Sequence, residues 1–287
     1  METKGQERTA LITGASSGIG LELARRMLSE GWQVVALNRS GFPEDDPLIR
    51  DSLGTGKLRV YRADLSDFDS LRAALGQIKA REEKLDLLFN NAGGSFPELL
   101  FSKQGRELHY EVQTVVPFIL FMELKELLRR GSLKTVINTS TNAFDFVRRF
   151  DADTLERPPT FKKLLGPYAT TKLALSLWTR ELGPRVAAEG FKLHSVDPGS
   201  NNTLRDGKNP GLPFFALLIM KWVAPPPNRG ASRLHDAAVD GNGNAPGAYI
   251  RNGVAKELRF VEQGQKVLEK VSAIYEREFR SPKPNLV

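Results

Sequence analysis

The sequence contains no cysteine, which excludes disulfide bonds and thiolate metal sites. Histidine is almost as scarce, and the three histidines, His109, His194 and His235, stand too far apart in the chain to suggest a metal-ligand spacing. We therefore expect no metal site and interpret these histidines as surface or core residues. The lack of thiols fits a reducing compartment, so the expected location is cytoplasmic.

Long apolar runs and basic blocks are also missing. The longest apolar run, residues 212–223, is interrupted by Lys221 and is shorter than the roughly 20 residues of a membrane-spanning helix. The net charge is +7, but the basic residues are scattered among acidic ones and are not interleaved with aromatic residues as a nucleic-acid surface requires. Neither a transmembrane segment nor a nucleic-acid partner is expected.

Apolar runs that favour strands alternate with longer segments of helical period, which is the pattern of βαβ units. The 287 residues show no internal repeat and no low-complexity linker, so we predict one domain over residues 1–287. The predicted fold class is α/β, a doubly wound parallel sheet with helices on both faces. Strands are predicted at residues 10–13, 33–37, 58–63, 85–90, 135–139, 192–196 and 248–250. Helices are predicted at residues 18–30, 71–82, 105–130, 168–189 and 255–280.

A glycine-rich turn separates the first predicted strand from the first helix. Residues 13–20 read Thr-Gly-Ala-Ser-Ser-Gly-Ile-Gly. Glycines there permit a tight turn, and the helix N-terminus offers N–H groups and a positive dipole to a pyrophosphate. The turn therefore predicts a dinucleotide site, and its Gly-x-x-x-Gly-x-Gly spacing resembles that of the short-chain dehydrogenase/reductase family.

Four further motifs follow in the order of that family. They are Asp64-Leu65, Asn90-Asn91-Ala92-Gly93, Tyr168-x-x-x-Lys172, and Pro198-Gly199 with Thr203. The resemblance implies a Rossmann-type fold that binds a nicotinamide dinucleotide, with Asp64 on the adenine amino group and the Pro-Gly turn facing the nicotinamide amide. The cofactor-binding residues that it implies are Gly14, Ser16, Ser17, Gly18, Ile19, Gly20, Asp64, Leu65, Asn91, Ala92, Gly93, Thr139, Tyr168, Lys172, Pro198, Gly199 and Thr203.

The end of the second predicted strand bears on the choice of cofactor. An acid there accepts the 2′-hydroxyl of NAD, whereas a cation pairs with the 2′-phosphate of NADP. The residues are Asn38 and Arg39, and no acid follows until Glu44. We predict NADP(H), with the Arg39 guanidinium on the phosphate. The alternative is that Arg39 stacks on the adenine or points into solvent.

Tyr168 and Lys172 are four residues apart and share one face of a predicted helix. A phenol is a poor acid or base at neutral pH until a nearby cation favours the phenolate, and Lys172 can supply that charge. The resemblance implies that Tyr168 exchanges a proton with a carbonyl oxygen as a hydride moves. It also implies that Lys172 holds the nicotinamide ribose.

Two residues that the family usually carries are replaced. Thr141 aligns with a serine that holds the substrate oxygen, one position after Ser140, and Gln113 aligns with an asparagine that anchors a water. Thr141 keeps the hydroxyl but adds a methyl group, which predicts a narrower pocket. The changes feed a rival hypothesis, an NADP(H)-binding sensor or assembly protein with little catalysis. The intact Tyr168 and Lys172 argue against it.

The substrate side resembles the retinol-dehydrogenase-like and protochlorophyllide-reductase-like branch, because a long insertion, about residues 144–167, precedes Tyr168. Residues 201–229 are predicted as a lid over a lipophilic ketone, aldehyde or alcohol. Their apolar part either covers substrate and touches a membrane surface, or packs as a buried helix or subunit contact. An imine, an activated double bond or an enol is the alternative substrate. The sequence does not decide whether the protein forms a homo-oligomer, although members of the family commonly pair subunits through two long helices.

Overall fold

The computed structural model describes residues 7–199, 226–239 and 243–281, and within these ranges eight strands form one sheet. The strands are β1 (Thr9–Thr13), β2 (Gln33–Asn38), β3 (Leu58–Arg62), β4 (Leu87–Asn90), β5 (Thr135–Thr139), β6 (Lys192–Asp197), β7 (Tyr249–Arg251) and β8 (Val254–Lys256). The α-helices are α1 (Gly18–Ser29), α2 (Pro47–Gly54), α3 (Phe68–Arg81), α4 (Leu108–Tyr110), α5 (Val116–Arg129), α6 (Pro167–Ala187), α7 (Pro227–Val239) and α8 (Gly264–Ile274). A π-helical turn, Glu111–Val115, joins α4 to α5, and another, Tyr275–Arg280, follows α8.

The strand order is β3-β2-β1-β4-β5-β6-β7-β8. The pairs from β3 to β7 are parallel, and β8 runs antiparallel to β7. The chain moves outward from β1 to β3 and then returns to place β4 beside β1, so the topological switch point lies between these two strands. Ligands of such sheets bind at the carboxyl ends of the strands there. The arrangement confirms the predicted doubly wound sheet.

Helices cover both faces of the sheet. Leu11 of β1 packs into an apolar cluster with α3, α5, α6 and α8, whereas Ala10 and Ile12 pack into a second cluster with α1, α2 and α7. All five residues of β1 are buried, as expected for a strand that is covered on both sides. This packing fixes the carboxyl ends of β1, β4, β5 and β6 relative to one another.

The end of the chain differs from the single helix predicted at residues 255–280. Val254–Lys256 pairs with β7 in an antiparallel hairpin, and α8 begins only at Gly264. The hairpin turn is Asn252-Gly253, whose φ angles are 52° and 75°. An Asn-Gly pair favours this turn because both residues tolerate positive φ. The helical prediction is therefore wrong at its start.

The predicted helix at residues 105–130 also starts late, at Leu108. Phe101 and Glu107 form an isolated antiparallel bridge, so the chain is still extended at Glu107. The Glu107 carboxylate then accepts a hydrogen bond from the Tyr110 N–H and caps the helix. Within the helix, the turn Glu111–Val115 widens to π geometry, which the apolar period does not predict.

The segment between β5 and α6 holds the predicted insertion. It contains two 3-10 turns, Ala143–Phe146 and Ala152–Thr154. Phe144, Phe150 and Leu155 from this segment are buried in the cluster that contains α6. The segment is therefore a packed part of the body.

The predicted lid at residues 201–229 lies outside the described residues up to residue 225. The last residues of this segment belong to α7, which starts at Pro227, and proline is favoured in the first turn of a helix. Among the residues that the structure describes, no helix combines the length and the apolar character needed to cross a membrane.

Candidate active site

The glycine-rich turn lies between β1 and α1, at the switch point of the sheet. Gly14 and Gly18 have φ angles of 68° and 55°, which other residues rarely adopt. A Cβ on Gly20 would lie 2.2 Å from the Gly14 carbonyl oxygen, so the first turn of α1 packs too closely for any side chain there. Ser16, Ser17 and Ile19 complete this turn. The turn thus presents backbone atoms to a ligand, as a pyrophosphate site requires.

The loop after β4 is tied to the end of β1 by Thr13. The Thr13 hydroxyl accepts hydrogen bonds from the backbone N–H of Asn91 at 3.0 Å and of Ala92 at 2.9 Å. The Asn91 side-chain amide donates to the Thr13 carbonyl oxygen at 3.1 Å. These bonds bring the glycine-rich turn and the Asn-Asn-Ala-Gly motif to one edge of the sheet. Sequence reasoning assigned no such bridging role to Thr13.

The ends of β2 and β3 carry the groups predicted to face the adenosine. Arg39 is exposed, and its carbonyl oxygen accepts a hydrogen bond from Arg62 Nη1 at 3.3 Å, so the Arg62 guanidinium lies beside the Arg39 backbone. Asp64 accepts hydrogen bonds from the backbone N–H and the hydroxyl of Ser66, which fixes its carboxylate. Leu65 is partly buried against the core. The structure thus brings Arg39 and Asp64 to the same edge.

Tyr168 and Lys172 lie on the first two turns of α6. Lys172 is 4% exposed and its Nζ donates to the Thr139 carbonyl oxygen at 2.5 Å. Burial lowers the pKa of Lys172 to about 7. Burial raises the pKa of Tyr168, and a hydrogen bond with Thr141 opposes that rise. Tyr168, Lys172 and Thr141 are therefore brought together at the carboxyl end of β5.

The two hydroxyls after β5 point in different directions. Ser140 is buried, and its Oγ lies 2.8 Å from Ser176 Oγ on α6. Thr141 is partly buried and accepts a hydrogen bond from the Ala143 N–H at 3.2 Å. Of the two residues, the geometry therefore brings Thr141, and not Ser140, to Tyr168.

Gln113 sits in the π-helical turn and reaches the loop after β4. Its Nε2 donates to the Gly94 carbonyl oxygen at 2.9 Å. A Cβ on Gly93 would lie 2.7 Å from Gln113 Oε1, so the longer side chain fills the space over that glycine. The indole of Trp178 donates to the Thr114 carbonyl oxygen at 3.2 Å and so stabilises the irregular turn. Such turns are frequent at functional sites.

The Pro-Gly turn follows β6. The Gly199 N–H donates to Asp197 Oδ1 at 2.8 Å, and Arg233 of α7 donates to the Pro198 carbonyl oxygen at 3.1 Å. The turn therefore lies at the same edge of the sheet as the other motifs. Thr203 lies outside the described residues.

The sequence predicts His109 only as a surface or core residue and does not place it beside Tyr168. His109 is buried, and its ring centroid lies 6.1 Å from that of Tyr168. Its spacing four residues before Gln113 is the one sequence signal that could have placed it on the same helix face.

A parallel sheet with a glycine-rich turn at its switch point defines a dinucleotide-binding class of protein. In the comparison with known proteins, the model of a family described as short chain dehydrogenase matches residues 8–148. Dehydrogenase/reductase SDR family member 13 from Homo sapiens is 31% identical over 261 residues, which cover 88% of this chain and 67% of that protein. The chain belongs to the short-chain dehydrogenase/reductase family of oxidoreductases.

Retinol dehydrogenases are among its relatives. Retinol dehydrogenase 12 from Mus musculus is 31% identical over 194 residues, which cover 67% of this chain and 61% of that relative's length. Retinol dehydrogenase 11 from Homo sapiens is 28% identical over 238 residues, covering 82% of this chain and 74% of that protein. These matches place the chain in the retinol-dehydrogenase-like branch. The match spans less than two thirds of retinol dehydrogenase 12.

Solved structures share the fold. A blue fluorescent protein from a metagenomic library, in complex with NADPH, has a TM-score of 0.64 at 21% identity, covering 85% of this chain and 96% of that chain. A short-chain dehydrogenase/reductase family oxidoreductase from Brucella ovis, with a partially ordered NAD, has a TM-score of 0.57 at 22% identity, covering 86% and 99%. One neighbour holds NADPH and the other NAD, so the likeness does not select between the two cofactors.

Proposed function

We propose that this protein is an NADP(H)-dependent oxidoreductase that transfers a hydride between the nicotinamide and a carbonyl compound, or the corresponding alcohol. The observation that carries the proposal is the convergence of Thr141, Tyr168 and Lys172 at the carboxyl end of β5. Membership of an oxidoreductase family supports the reaction class. The cytoplasmic location and the homo-oligomer stay predictions from the sequence.

The residues present fit a nicotinamide dinucleotide. At Gly14 and Gly20 the glycine-rich turn packs against Ala92 and against its own backbone too closely for a side chain, and a turn of bare backbone at a helix N-terminus suits the pyrophosphate. The Thr139 hydroxyl is buried and has no hydrogen-bond partner among the described residues, which leaves it available to a ligand. Asp64 would hold the adenine, and Lys172 the nicotinamide ribose. When bound, the cofactor supplies or accepts the hydride.

NADP(H) is favoured over NAD(H) by the charges at the ends of β2 and β3. Arg39 is exposed and directly follows β2, and Arg62 Nη1 donates to its backbone carbonyl oxygen, so two basic residues lie at the strand ends where this fold holds the 2′ substituent of the adenosine ribose. Guanidinium groups bind phosphate in a fork, whereas a carboxylate would be needed for the 2′-hydroxyl of NAD. The residue at the very end of β2, Asn38, accepts a hydrogen bond from the Ala15 N–H and serves the glycine-rich turn instead.

The proton is handled by Tyr168. In reduction, its hydroxyl donates a proton to the carbonyl oxygen while the Thr141 hydroxyl hydrogen-bonds the same oxygen. Because burial raises the pKa of Tyr168, a nearby positive charge is needed to make the phenol a useful acid and base. Lys172 supplies it once the anionic cofactor favours the ammonium form over the neutral amine that burial favours.

A lipophilic substrate is supported by the relatives named retinol dehydrogenases. Phe101 and Phe146, which are exposed on the segments that follow β4 and β5, agree with an apolar approach to the site. We also propose that the predicted lid touches a membrane surface.

The proposal is tested by following NADPH oxidation against a panel of aldehydes, ketones, imines and enones, with Thr141→Val and Ser140→Ala as a matched pair. We expect carbonyl turnover that Thr141→Val lowers at least about tenfold and Ser140→Ala leaves within about twofold. If only imines or enones are turned over, the substrate is an imine or an activated double bond and not a carbonyl compound. Flat traces with tight NADPH binding would favour the sensor hypothesis.

A further inference from the structure

A buried histidine lies beside the proposed catalytic tyrosine, and the proposed chemistry gives it no role. The His109 side chain is 1% exposed. Its ring meets the ring of Tyr168 edge-on, with an interplanar angle of 71°. A titratable group so close to the reacting phenol needs an account.

Two hydrogen bonds fix the tautomer of His109. The Phe96 backbone N–H donates to Nε2 at 2.9 Å, so Nε2 carries no proton. Nδ1 therefore carries it and donates to Glu107 Oε1 at 2.6 Å. Glu107 is fully buried, and its other oxygen accepts from the Tyr110 N–H at 2.9 Å. The imidazole is thus held from both edges in its Nδ1–H form.

His109 and Gln113 hold the same loop from one face of the helix. Gln113 binds the Gly94 carbonyl oxygen, and two residues later the Phe96 N–H binds His109. The Phe96 ring also packs on the imidazole, with ring centroids 4.6 Å apart. Gly93 and Gly94 have φ angles near 150°, so the backbone alone does not restrict this loop. The two helix side chains supply the restriction.

The start of this helix, at Glu107 and Leu108, also contacts the segment between β5 and α6. The Glu107 N–H donates to the Glu156 carbonyl oxygen at 2.9 Å, and the Leu108 N–H donates to the Leu100 carbonyl oxygen at 2.8 Å. The loop after β4, the helix start and the segment before Tyr168 therefore meet at the Glu107–His109 pair. His109 of this pair in turn contacts the ring of Tyr168.

We infer that His109, oriented by Glu107, is a positioning residue that fixes residues 94–96 and the ring of Tyr168, and so sets how the substrate oxygen meets the phenol. This inference rests on the proposed hydride-transfer function. His109 acts through Tyr168 and the loop and exchanges no proton with substrate. Small misplacements of reacting groups lower rates steeply, so we expect a disturbed His109 to lower kcat and to leave cofactor binding unchanged.

A measurement that needs no substrate tests the contacts. The chain has three histidines, so a ¹⁵N spectrum of the histidine side chains can be assigned with single His→Gln variants. We expect His109 in the Nδ1–H form, and a Phe96 amide whose hydrogen exchange is slow in wild type and in His109→Gln but fast in His109→Phe. A His109 that is charged or protonated on Nε2 would overturn the inference.

Kinetics test the positioning role. His109→Phe keeps a ring but has no acceptor for the Phe96 N–H, so we expect kcat to fall about 10–100-fold with the NADPH Kd changed less than about twofold. His109→Gln restores an acceptor and a donor and should recover kcat to within about threefold. His194→Gln, at another buried histidine on β6, is the matched control and should keep wild-type kcat.

The two proposals fail in different ways. If wild type reduces carbonyls and His109→Phe is equally active, or if His109→Gln is as impaired as His109→Phe, the positioning role is wrong and the proposed function stands. If wild type turns over no compound of the panel, the proposed function and the positioning role in it both fail, even if the tautomer and Phe96 protection are as expected.

Discussion

The cofactor side and the substrate side of the site are built from different parts of the chain. On the cofactor side, the glycine-rich turn and the Asn-Asn-Ala-Gly loop present backbone, and Thr13 ties them together through backbone N–H groups. On the substrate side, three side chains from two segments set the shape of the site: His109 and Gln113 from one helix, and Thr141 from the end of β5. Backbone sites tolerate few residue types, whereas side-chain sites tolerate replacement where a longer group can reach the same partner.

Gly20 and Gln113 illustrate the difference. A Cβ at position 20 meets backbone at 2.2 Å, and backbone cannot move aside without disturbing the sheet. At position 113 the glutamine extends over Gly93 and still finds the Gly94 carbonyl oxygen. The first position accepts only glycine, and the second accepts a departure from the family pattern.

The largest effect is expected from Tyr168→Phe, which should change catalysis on the substrate side and spare binding on the cofactor side. Tyr168→Phe removes the proposed proton donor but keeps the aromatic ring and the glycine-rich turn, so kcat should fall about 10³-fold. The NADPH Kd, measured by cofactor fluorescence, should stay within about twofold. Substantial turnover by Tyr168→Phe would contradict the role of the phenol and with it the division between the two sides.

Gly20→Ala breaks the cofactor side instead. The added methyl group cannot fit against the Gly14 carbonyl oxygen, so we expect the NADPH Kd to rise at least about tenfold and the free energy of unfolding to drop by about 1–3 kcal/mol. Gly76→Ala in α3 is the matched control, because nothing lies within 4 Å of its new Cβ. It should leave the Kd unchanged and add about 0.5–1 kcal/mol of stability. If the two variants had the same NADPH Kd and the same free energy of unfolding, close packing at Gly20 would not be what excludes a side chain there.

The same division explains what the sequence could predict. The alternation of strands and helices, the glycine-rich turn and the Tyr168–Lys172 spacing are local patterns, and the structure places them at one edge of the predicted sheet. The role of His109 depends on Phe96 and Glu107, and a spacing pattern carries no information on which backbone N–H an imidazole accepts from. The π-helical turn is also invisible, since Trp178 stabilises it from another helix.

Arg39→Ala sharpens the cofactor side. If the guanidinium holds the 2′-phosphate, kcat/KM with NADPH should fall about 10–100-fold, the usual size of a lost charge-assisted contact, while kcat/KM with NADH changes less than about twofold. Arg50→Ala, on the exposed face of α2, is the control. An equal loss with both cofactors would mean that Arg39 stacks on the adenine, and no loss with either would mean that it lies in solvent.

The smallest effect is expected at Lys172, which lies between the cofactor side and the substrate side. It is a change in the free energy of unfolding of Lys172→Met. Burial lowers the pKa of Lys172 to about 7, whereas the unfolded chain keeps a value near 10.5. Between these values the unfolded state binds the extra proton, so wild-type stability falls as the pH drops from about 10.5 to about 7 and is penalised fully below that. Methionine has no such proton, so without cofactor the variant should be the more stable protein near neutral pH.

We expect that gain to be about 1–2 kcal/mol at pH 7, less than the pKa displacement alone implies, because methionine cannot donate to the Thr139 carbonyl oxygen. Urea unfolding between pH 6.5 and 10 measures it, and the gain should shrink as the pH rises. Lys57→Met, at an exposed lysine, should show no such trend. A pH-independent difference would mean that Lys172 is already paired without cofactor. A shrinking difference in a variant without turnover would show that the chain retains a destabilising amine for its chemistry.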